Sequence, residues 1–237
     1  MNILAFDTCF GACSVAVRKQ SGRDEVIVRE EYEERSAGHA EALIPMMQRV
    51  MSGAQLEFRD LDRIAVTEGP GTFTGVRIGV STARGLALAL GKPIVAMTSL
   101  MAMALRADHL LAARRAGRTL AVCVDARKDQ IYAQLFGENG GDALCAPQLV
   151  TPRELVRQLG DGAFLAVGSG AQAVTAAATE SRLAHAARGE IALPALEPHA
   201  RWLAILAPSL PPRARLSPLY LRPPDAKPQN APPSAKT

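Results

Sequence analysis

Residues 62–90 read DRIAVTEGPGTFTGVRIGVSTARGLALAL and contain the clearest secondary-structure pattern of the chain. The β-branched and apolar run Arg63–Thr67 is typical of a buried strand. A Gly/Pro-rich loop, 68–75, follows it and leads into a helix for which Thr74 is the candidate N-cap. Strand, glycine loop and helix in this order predict an α/β unit.

Small side chains recur every four residues along this helix, at Gly75, Gly79, Ala83 and Ala87, and share one face. A glycine inside a helix costs about 1 kcal/mol relative to alanine. A sequence tolerates that cost where another backbone or a ligand comes close. The loop could be an anion site at a helix N-terminus or a tight strand–helix joint. Because it has neither GxxxxGK[ST] nor GxGxxG, local chemistry favours the joint.

The composition allows an aliphatic core and a mildly basic protein. The chain has 237 residues, enough for one large domain or two small ones, and 48% are hydrophobic but only 4% aromatic. The formal net charge of +4 is compatible with an RNA-associated role without requiring one. We find no basic segment with interleaved aromatic residues, so the sequence does not indicate a self-sufficient RNA-binding module.

The termini and cysteines point to the cytoplasm. The start, MNILAFDT, lacks the basic region and cleavage site of an export signal. No run of about 18 apolar residues predicts a membrane span. The four cysteines do not follow a zinc-binding spacing, so we expect reduced thiols.

The chain opens with three predicted strands, Asn2–Asp7, Cys13–Arg18 and Glu25–Tyr32, which suggest an antiparallel meander. Asp7 ends the first of them. Its carboxylate could hold Mg²⁺ or a reacting group, or it could be a turn residue that accepts bonds from nearby N–H groups. The sequence leaves both interpretations open.

A helix is predicted from Ser36, as its N-cap, to Met51, with Pro45 inside it. Its methionines and its apolar residues outside one face suit a partner helix, although a plain core helix fits the pattern equally well. A metal site would need a second histidine one turn after His39, where Leu43 stands. We therefore expect His39 not to bind a metal.

The pattern restarts at Thr119–Asp125, again a strand that ends in an acid, followed by the return strand Gln130–Phe136. This repeats the start of the chain and predicts an internal duplication. Gly168–Gly170 is a second glycine turn into an Ala-rich helix, either a nucleotide contact or a plain turn. The predicted divisions are a first half, a reduced second half that ends in an extended strap (SPLYLR), and a disordered Pro-rich tail: 1–117, 118–222 and 223–237.

Several segments together resemble the bacterial TsaB (YeaZ) family. The specific part is GPGTFTGVRIG at 69–79 followed by PIVAMTSL at 93–100. The segments MNILAFDTCFGACSVAV, HAEALIPMM, VDARKDQIYAQLF and PLYLR add to it, and the resemblance is strongest over 1–136. It implies two ribonuclease-H-like halves of the actin/Hsp70/sugar-kinase type, the second half reduced. This α/β architecture agrees with the duplication.

The resemblance also implies a function. TsaB is a non-catalytic subunit of the machinery that installs N6-threonylcarbamoyladenosine next to the anticodon of tRNA. It pairs with the related catalytic subunit TsaD, and the ATPase TsaE joins the pair. TsaD carries a two-histidine metal motif after the strand that resembles PIVAMT, whereas Thr98–Met103 contains no histidine. We therefore expect no catalytic residue and no metal here.

The expected partners are a TsaD-like subunit, a TsaE-like ATPase and tRNA through the complex, with a homodimer when the partner is absent. No tightly bound cofactor is expected, with ATP and Mg²⁺ entering at the level of the complex. In the family the first two helices build the interface, and the small-residue ridge would let two subunits approach closely. The implied interface residues are Ala40, Leu43, Met46, Met47, Val50, Gly75, Val76, Gly79, Val80, Ala83 and Ala87.

A possible vestigial nucleotide cleft would hold Asp7, Gly71, Thr72, Gly168 and Gly170. The alternative function is an enzyme acting alone. It would be an ATP-dependent phosphotransferase, with Asp7 and Asp125 on Mg²⁺, or a metalloprotease-like hydrolase. The hydrolase lacks a second metal-binding histidine near His39.

Overall fold

The structure, a computed structural model, describes residues 1–22, 25–139, 141–181 and 189–222. The predicted tail, 223–237, lies outside these ranges. Among the described residues, none of the helices is both long enough and apolar enough to cross a membrane.

Both halves have the element order β-β-β-α-β-α-β-α. The first contains β1 (Ile3–Asp7), β2 (Ala12–Ser21), β3 (Glu25–Glu34), α1 (His39–Gly53), β4 (Arg63–Thr67), α2 (Phe73–Leu90), β5 (Ile94–Met97) and α3 (Ser99–Leu111). The second contains β6 (Thr119–Asp125), β7 (Ile131–Phe136), β8 (Gln148–Val150), α4 (Pro152–Leu159), β9 (Phe164–Val167), α5 (Ala171–Glu180), β10 (Gly189–Leu193) and α6 (Ala200–Leu206).

The two sheets share one topology. Among the described residues each sheet has five strands, in the orders β3-β2-β1-β4-β5 and β10-β9-β6-β7-β8. From the opposite edge the second order is β8-β7-β6-β9-β10. This is the first order with β6 in the place of β1, β7 in the place of β2, and so on. In each sheet the first strand pairs antiparallel with the second and parallel with the fourth. The predicted α/β fold of two related halves is therefore confirmed.

The second half is reduced in length and not in its number of elements. Helices α4 and α5 have 8 and 10 residues, whereas their counterparts α1 and α2 have 15 and 18. Sequence patterns did not reveal β8 and β10. A three-residue strand such as β8 is too short to show an alternating pattern.

The last helix of each half packs on the sheet of the other half. From α6, Leu203 and Ala204 share a buried cluster with Ile3 and Ala5 of the first sheet. On α3, buried apolar residues such as Met103 belong to a cluster that contains strands of the second sheet. The last helix of the segment predicted as the second half, 118–222, thus packs against the first sheet. Each half therefore contributes a helix to the core of the other.

Two predicted helix starts need correction. The first helix begins after Gly38, whose φ of 77° is left-handed, and no side chain caps it, so Ser36 is not its N-cap. The N-cap of α2 is Thr72 and not Thr74, because Thr72 Oγ1 accepts the Gly75 N–H at 3.1 Å.

Candidate functional site between the two sheets

Asp7 is buried at the carboxyl end of β1 and is bonded within the chain. Its side chain has no exposed surface. Thr67 Oγ1 donates to Asp7 Oδ1, and the Cys9 N–H donates to Asp7 Oδ2 at 3.3 Å. Burial raises the pKa of the Asp7 carboxyl, while the bonds from Thr67 and Cys9 lower it. Of the two interpretations of Asp7, the structure favours the turn anchor.

The first glycine loop folds tightly onto the turn after β1. A Cβ at Gly71 would lie 2.5 Å from Cys9 O, and one at Gly75 would lie 2.1 Å from Thr8 O. The Thr72 N–H donates to Cys9 O at 2.8 Å, and Thr8 Oγ1 donates to Gly75 O at 2.7 Å. These glycines therefore allow a close joint between the β1–β2 turn and α2.

The backbone N–H groups of the second glycine turn donate to carbonyl oxygens of their own half. The Gly168 N–H donates to Leu193 O at 2.8 Å, and the Gly170 N–H donates to Cys123 O at 3.0 Å. A Cβ at Gly168 would lie 2.4 Å from Cys123 O. An anion site needs free N–H groups that point at the ligand. Both of these groups already donate to backbone carbonyls.

Side chains of the two halves meet across the region between the glycine turns. Phe10, in the β1–β2 turn, is 8% exposed, and its ring centroid lies 6.4 Å from that of Tyr132 on β7. Leu196 and Leu216 belong to the same buried cluster as Phe10. A ligand placed there would have to displace apolar contacts between the halves.

Comparison with known proteins decides the family. The family model described as TsaD, tRNA N6-adenosine threonylcarbamoyltransferase, matches residues 31–193. The Escherichia coli (strain K12) tRNA threonylcarbamoyladenosine biosynthesis protein TsaB is 34% identical over 205 residues, which cover 83% of each chain. The chain belongs to the TsaB family. The solved structure of YeaZ from Pseudomonas aeruginosa matches with a TM-score of 0.75 at 29% identity, covering 93% of this chain and 99% of that one.

In this TsaB-family chain the small-residue ridge of α2 faces inward. A Cβ at Gly79 would lie 2.9 Å from Thr8 Oγ1 and 3.4 Å from Val66 Cγ2. Ala83 is fully buried, and Ala87 is half-buried. The chain's own β1–β2 turn and β4 thus already provide close neighbours for this ridge, and a subunit contact through it stays a prediction.

Most of the other implied interface residues belong to the core of the first half. Exposed apolar side chains nevertheless remain on both helices: Ile44 is 43% exposed on α1, and Leu88 is 87% exposed on α2. Ala40 is also exposed. The buried members of the implied interface set are Leu43, Met46, Met47, Val50, Val76 and Val80.

The predicted strap, SPLYLR at 217–222, contacts both halves. We use the name C-terminal strap for the longer segment 211–222, which contains it. The Leu219 N–H donates to Glu68 O at 2.7 Å, beside the first glycine loop. Arg222 Nη2 donates to Arg127 O at 3.0 Å, in the β6–β7 hairpin. The strap therefore ties the glycine loop of the first half to the hairpin of the second.

Glu197 is a cleft residue that sequence reasoning missed. Its Oε2 accepts the Gly11 N–H at 3.2 Å, and its backbone oxygen accepts a bond from Arg106 at 2.9 Å. Burial raises the pKa of Glu197 to about 7; the Asp7 charge adds to the rise, and the Gly11 bond opposes it. No motif surrounds Glu197, so only the fold could reveal this position.

No group of three or more His, Cys, Asp and Glu side chains within the described ranges could hold a metal ion. His39 Nε2 lies 3.0 Å from Phe10 O, so this histidine bonds to the β1–β2 turn. Asp125 is exposed and accepts the Arg127 N–H at 3.0 Å, whereas Asp7 is buried. The two carboxylates thus differ in their access to a metal.

Proposed function

We propose that this chain is a non-catalytic scaffold subunit in the biosynthesis of N6-threonylcarbamoyladenosine on tRNA. In this proposal it pairs with a TsaD-like catalytic subunit and helps to recruit a TsaE-like ATPase in the cytoplasm. Support comes from membership of a family whose curated members carry that pathway in their names. The observation that carries the non-catalytic role is the closed cleft.

A catalytic group must come within hydrogen-bond reach of its substrate. Asp7 is fully buried and bonded to Thr67 and Cys9, so a substrate has no access to its carboxylate. The N–H groups of Gly168 and Gly170 already have backbone acceptors. We therefore expect the isolated chain to bind neither ATP nor Mg²⁺ tightly, and ATP enters through the assembled complex.

The outer sides of α1 and α2 are the proposed pairing face, in place of the buried ridge. A leucine as exposed as Leu88 and the exposed Ile44 leave apolar surface available to a partner helix. The same face would serve for a homodimer without the partner and for the heterodimer with it. Transfer RNA joins the complex after this pairing.

The test of pairing is a double variant, Ile44→Glu with Leu88→Lys. Both side chains are exposed, and a lysine at Leu88 suits the last turn of α2, so the monomer should keep its stability. In sedimentation equilibrium we expect both the homodimer and the heterodimer to weaken at least about tenfold, or about 1.4 kcal/mol. The control is Leu144→Lys, at a leucine 56% exposed in the second half. Equal pairing by both variants would contradict the proposed face.

A further inference from the structure

Two exposed aromatic rings stack on each other beside an arginine. Of the six phenylalanines, three tyrosines and one tryptophan, all described, only Phe73 and Tyr220 are exposed, at 46% and 41%. Their centroids lie 5.4 Å apart, and the Arg77 guanidinium lies 3.7 Å from the Phe73 centroid. Arg77 Nε also donates to the Tyr220 hydroxyl at 2.8 Å. Exposed aromatic and arginine side chains in one cluster are typical of a recognition surface.

The surroundings of this aromatic pair are basic. The C-terminal strap contains Arg213, Arg215 and Arg222 and no carboxylate, and Arg213 pairs with Glu68 at 2.8 Å. Beyond Arg222 lies the β6–β7 hairpin tip, which carries Arg127 and Lys128 together with the exposed carboxylates of Asp125 and Asp129. Within the described part of the chain, the exposed guanidinium groups of Arg127 and Arg215 form no hydrogen bond or ion pair. Both cations are therefore available to a polyanion.

The hairpin tip is held in a strained conformation. Arg127, Lys128 and Asp129 have φ values of 63°, 54° and 55°, a left-handed backbone that side chains other than glycine rarely adopt. Arg222 Nη2 holds the tip through Arg127 O and through Gln130 Oε1 at 2.8 Å. Strain of this kind persists where the surroundings fix it, and it occurs often at binding sites.

We propose that the strap, the hairpin tip and the aromatic pair form an RNA-binding surface. Bases would stack on Phe73 and Tyr220, and phosphates would pair with Arg127 and Arg215, a combination that suits single-stranded nucleic acid. A protein partner could also use the aromatic pair, but the guanidinium groups of Arg127 and Arg215, exposed and unpaired among the described residues, favour a polyanion. The inference rests on the proposed function, because the RNA would be the tRNA that the complex modifies.

The spacing along the strap suits a chain of several nucleotides. Residues 213–222 in an extended conformation span at most about 30 Å. In the sequence of the strap, Tyr220 lies between Arg215 and Arg222. In the sequence this arrangement is hard to see, because Phe73 and Arg77 come from α2 and the hairpin cations come from the second half.

The experiment measures the affinity of the full chain, alone and with its catalytic partner, for a fluorescent tRNA anticodon stem-loop. The variant is Arg127→Glu with Arg215→Glu. We expect at least a tenfold weaker affinity. We also expect a decrease of about 1.4 in the magnitude of the slope of log K against log salt, since each lost single-strand phosphate contact removes about 0.7.

The matched control is Arg29→Glu with Arg157→Glu, which makes the same change in net charge on β3 and α4, away from the strap. Its affinity should stay within twofold of wild type. For the aromatic pair, Tyr220→Phe should keep the affinity and Tyr220→Ala should lower it at least threefold. Thermal unfolding of each variant shows that the fold is kept.

Three results would overturn the RNA surface: no RNA contact by the wild-type chain in either form, equal affinities of the charge-reversal variant and its control, or loss of partner pairing at unchanged RNA affinity. The last result would assign the surface to a protein partner. The proposed function fails separately, if modification of tRNA does not require the wild-type chain.

Discussion

The inward glycine face of α2 allows a matched pair of substitutions in one helix. Gly75→Ala places a Cβ 2.1 Å from Thr8 O and 2.6 Å from Thr72 Oγ1. Gly85→Ala, three turns later in the same helix, meets nothing within 4 Å. The two variants make the same chemical change, so only the surroundings of the new methyl group differ.

The two substitutions should change the free energy of unfolding in opposite directions. At Gly85, alanine should stabilise the protein by about 1 kcal/mol through its higher helix propensity. At Gly75 the same gain is opposed by overpacking of about 1–3 kcal/mol. Moving the helix start also weakens the Thr8 bond to Gly75 O and the Thr72 cap, at about 1 kcal/mol each. The net expectation for Gly75→Ala is a loss of about 2–4 kcal/mol.

Urea unfolding followed by circular dichroism and by Trp202 fluorescence measures both values. Sedimentation of the same variants gives their pairing. We expect Gly75→Ala to lower the free energy of unfolding of the monomer and Gly85→Ala to raise it. Equal stability of the two variants, with pairing lost only in Gly75→Ala, would refute the inward packing and restore the ridge as a subunit contact.

The remaining predictions concern the cleft and the link between the halves. Because burial raises the pKa of Glu197 from 4.5 to about 7 in the folded chain, its contribution to stability is fully present below pH 4.5 and is lost as the pH rises through about 7. The free energy of unfolding of Glu197→Gln should therefore fall less steeply between pH 5 and 7 than that of wild type, and parallel slopes would contradict this. Phe10→Ala should cost about 3 kcal/mol in urea unfolding, because it empties the contact between the halves; a loss below about 1 kcal/mol would show that Phe10 does not fill the cleft. Arg115→Met should cost about 3 kcal/mol, because the nearly buried guanidinium pairs with Asp108 and donates to Arg118 O at 2.8 Å; an unchanged midpoint would contradict it. Calorimetry should detect no micromolar binding of ATP to the isolated chain, and such binding would contradict the closed cleft.

The sequence could predict the fold because its signals are local. Strands that end in Asp7 and Asp125 recur with the same return strand, and the structure shows the two matching sheets that this repeat implies. The order of strands and helices follows from hydrophobic patterns and turn residues, which depend on neighbours in the chain. The short strands β8 and β10 carry too few residues for such a pattern.

The site could be predicted only in part, because it depends on contacts between distant residues. Gly75 and Gly79 show that something must come close to α2, but not that the neighbour is Thr8, at the end of a different strand. In the same way, Arg77 and Tyr220 are 143 positions apart, and only folding brings them into contact. The periodicities of helices and strands relate residues within one element, so they do not predict contacts between residues of different elements.

In the proposed function this chain supports catalysis by another subunit. The direct measurement is reconstitution: tRNA, ATP, threonine and bicarbonate are mixed with the enzyme that makes threonylcarbamoyl adenylate, the catalytic partner and the ATPase, with or without this chain. The modified nucleoside is then quantified. We expect modification to require this chain, which alone produces none. Equal modification without it, or turnover by the isolated chain, would contradict the scaffold role.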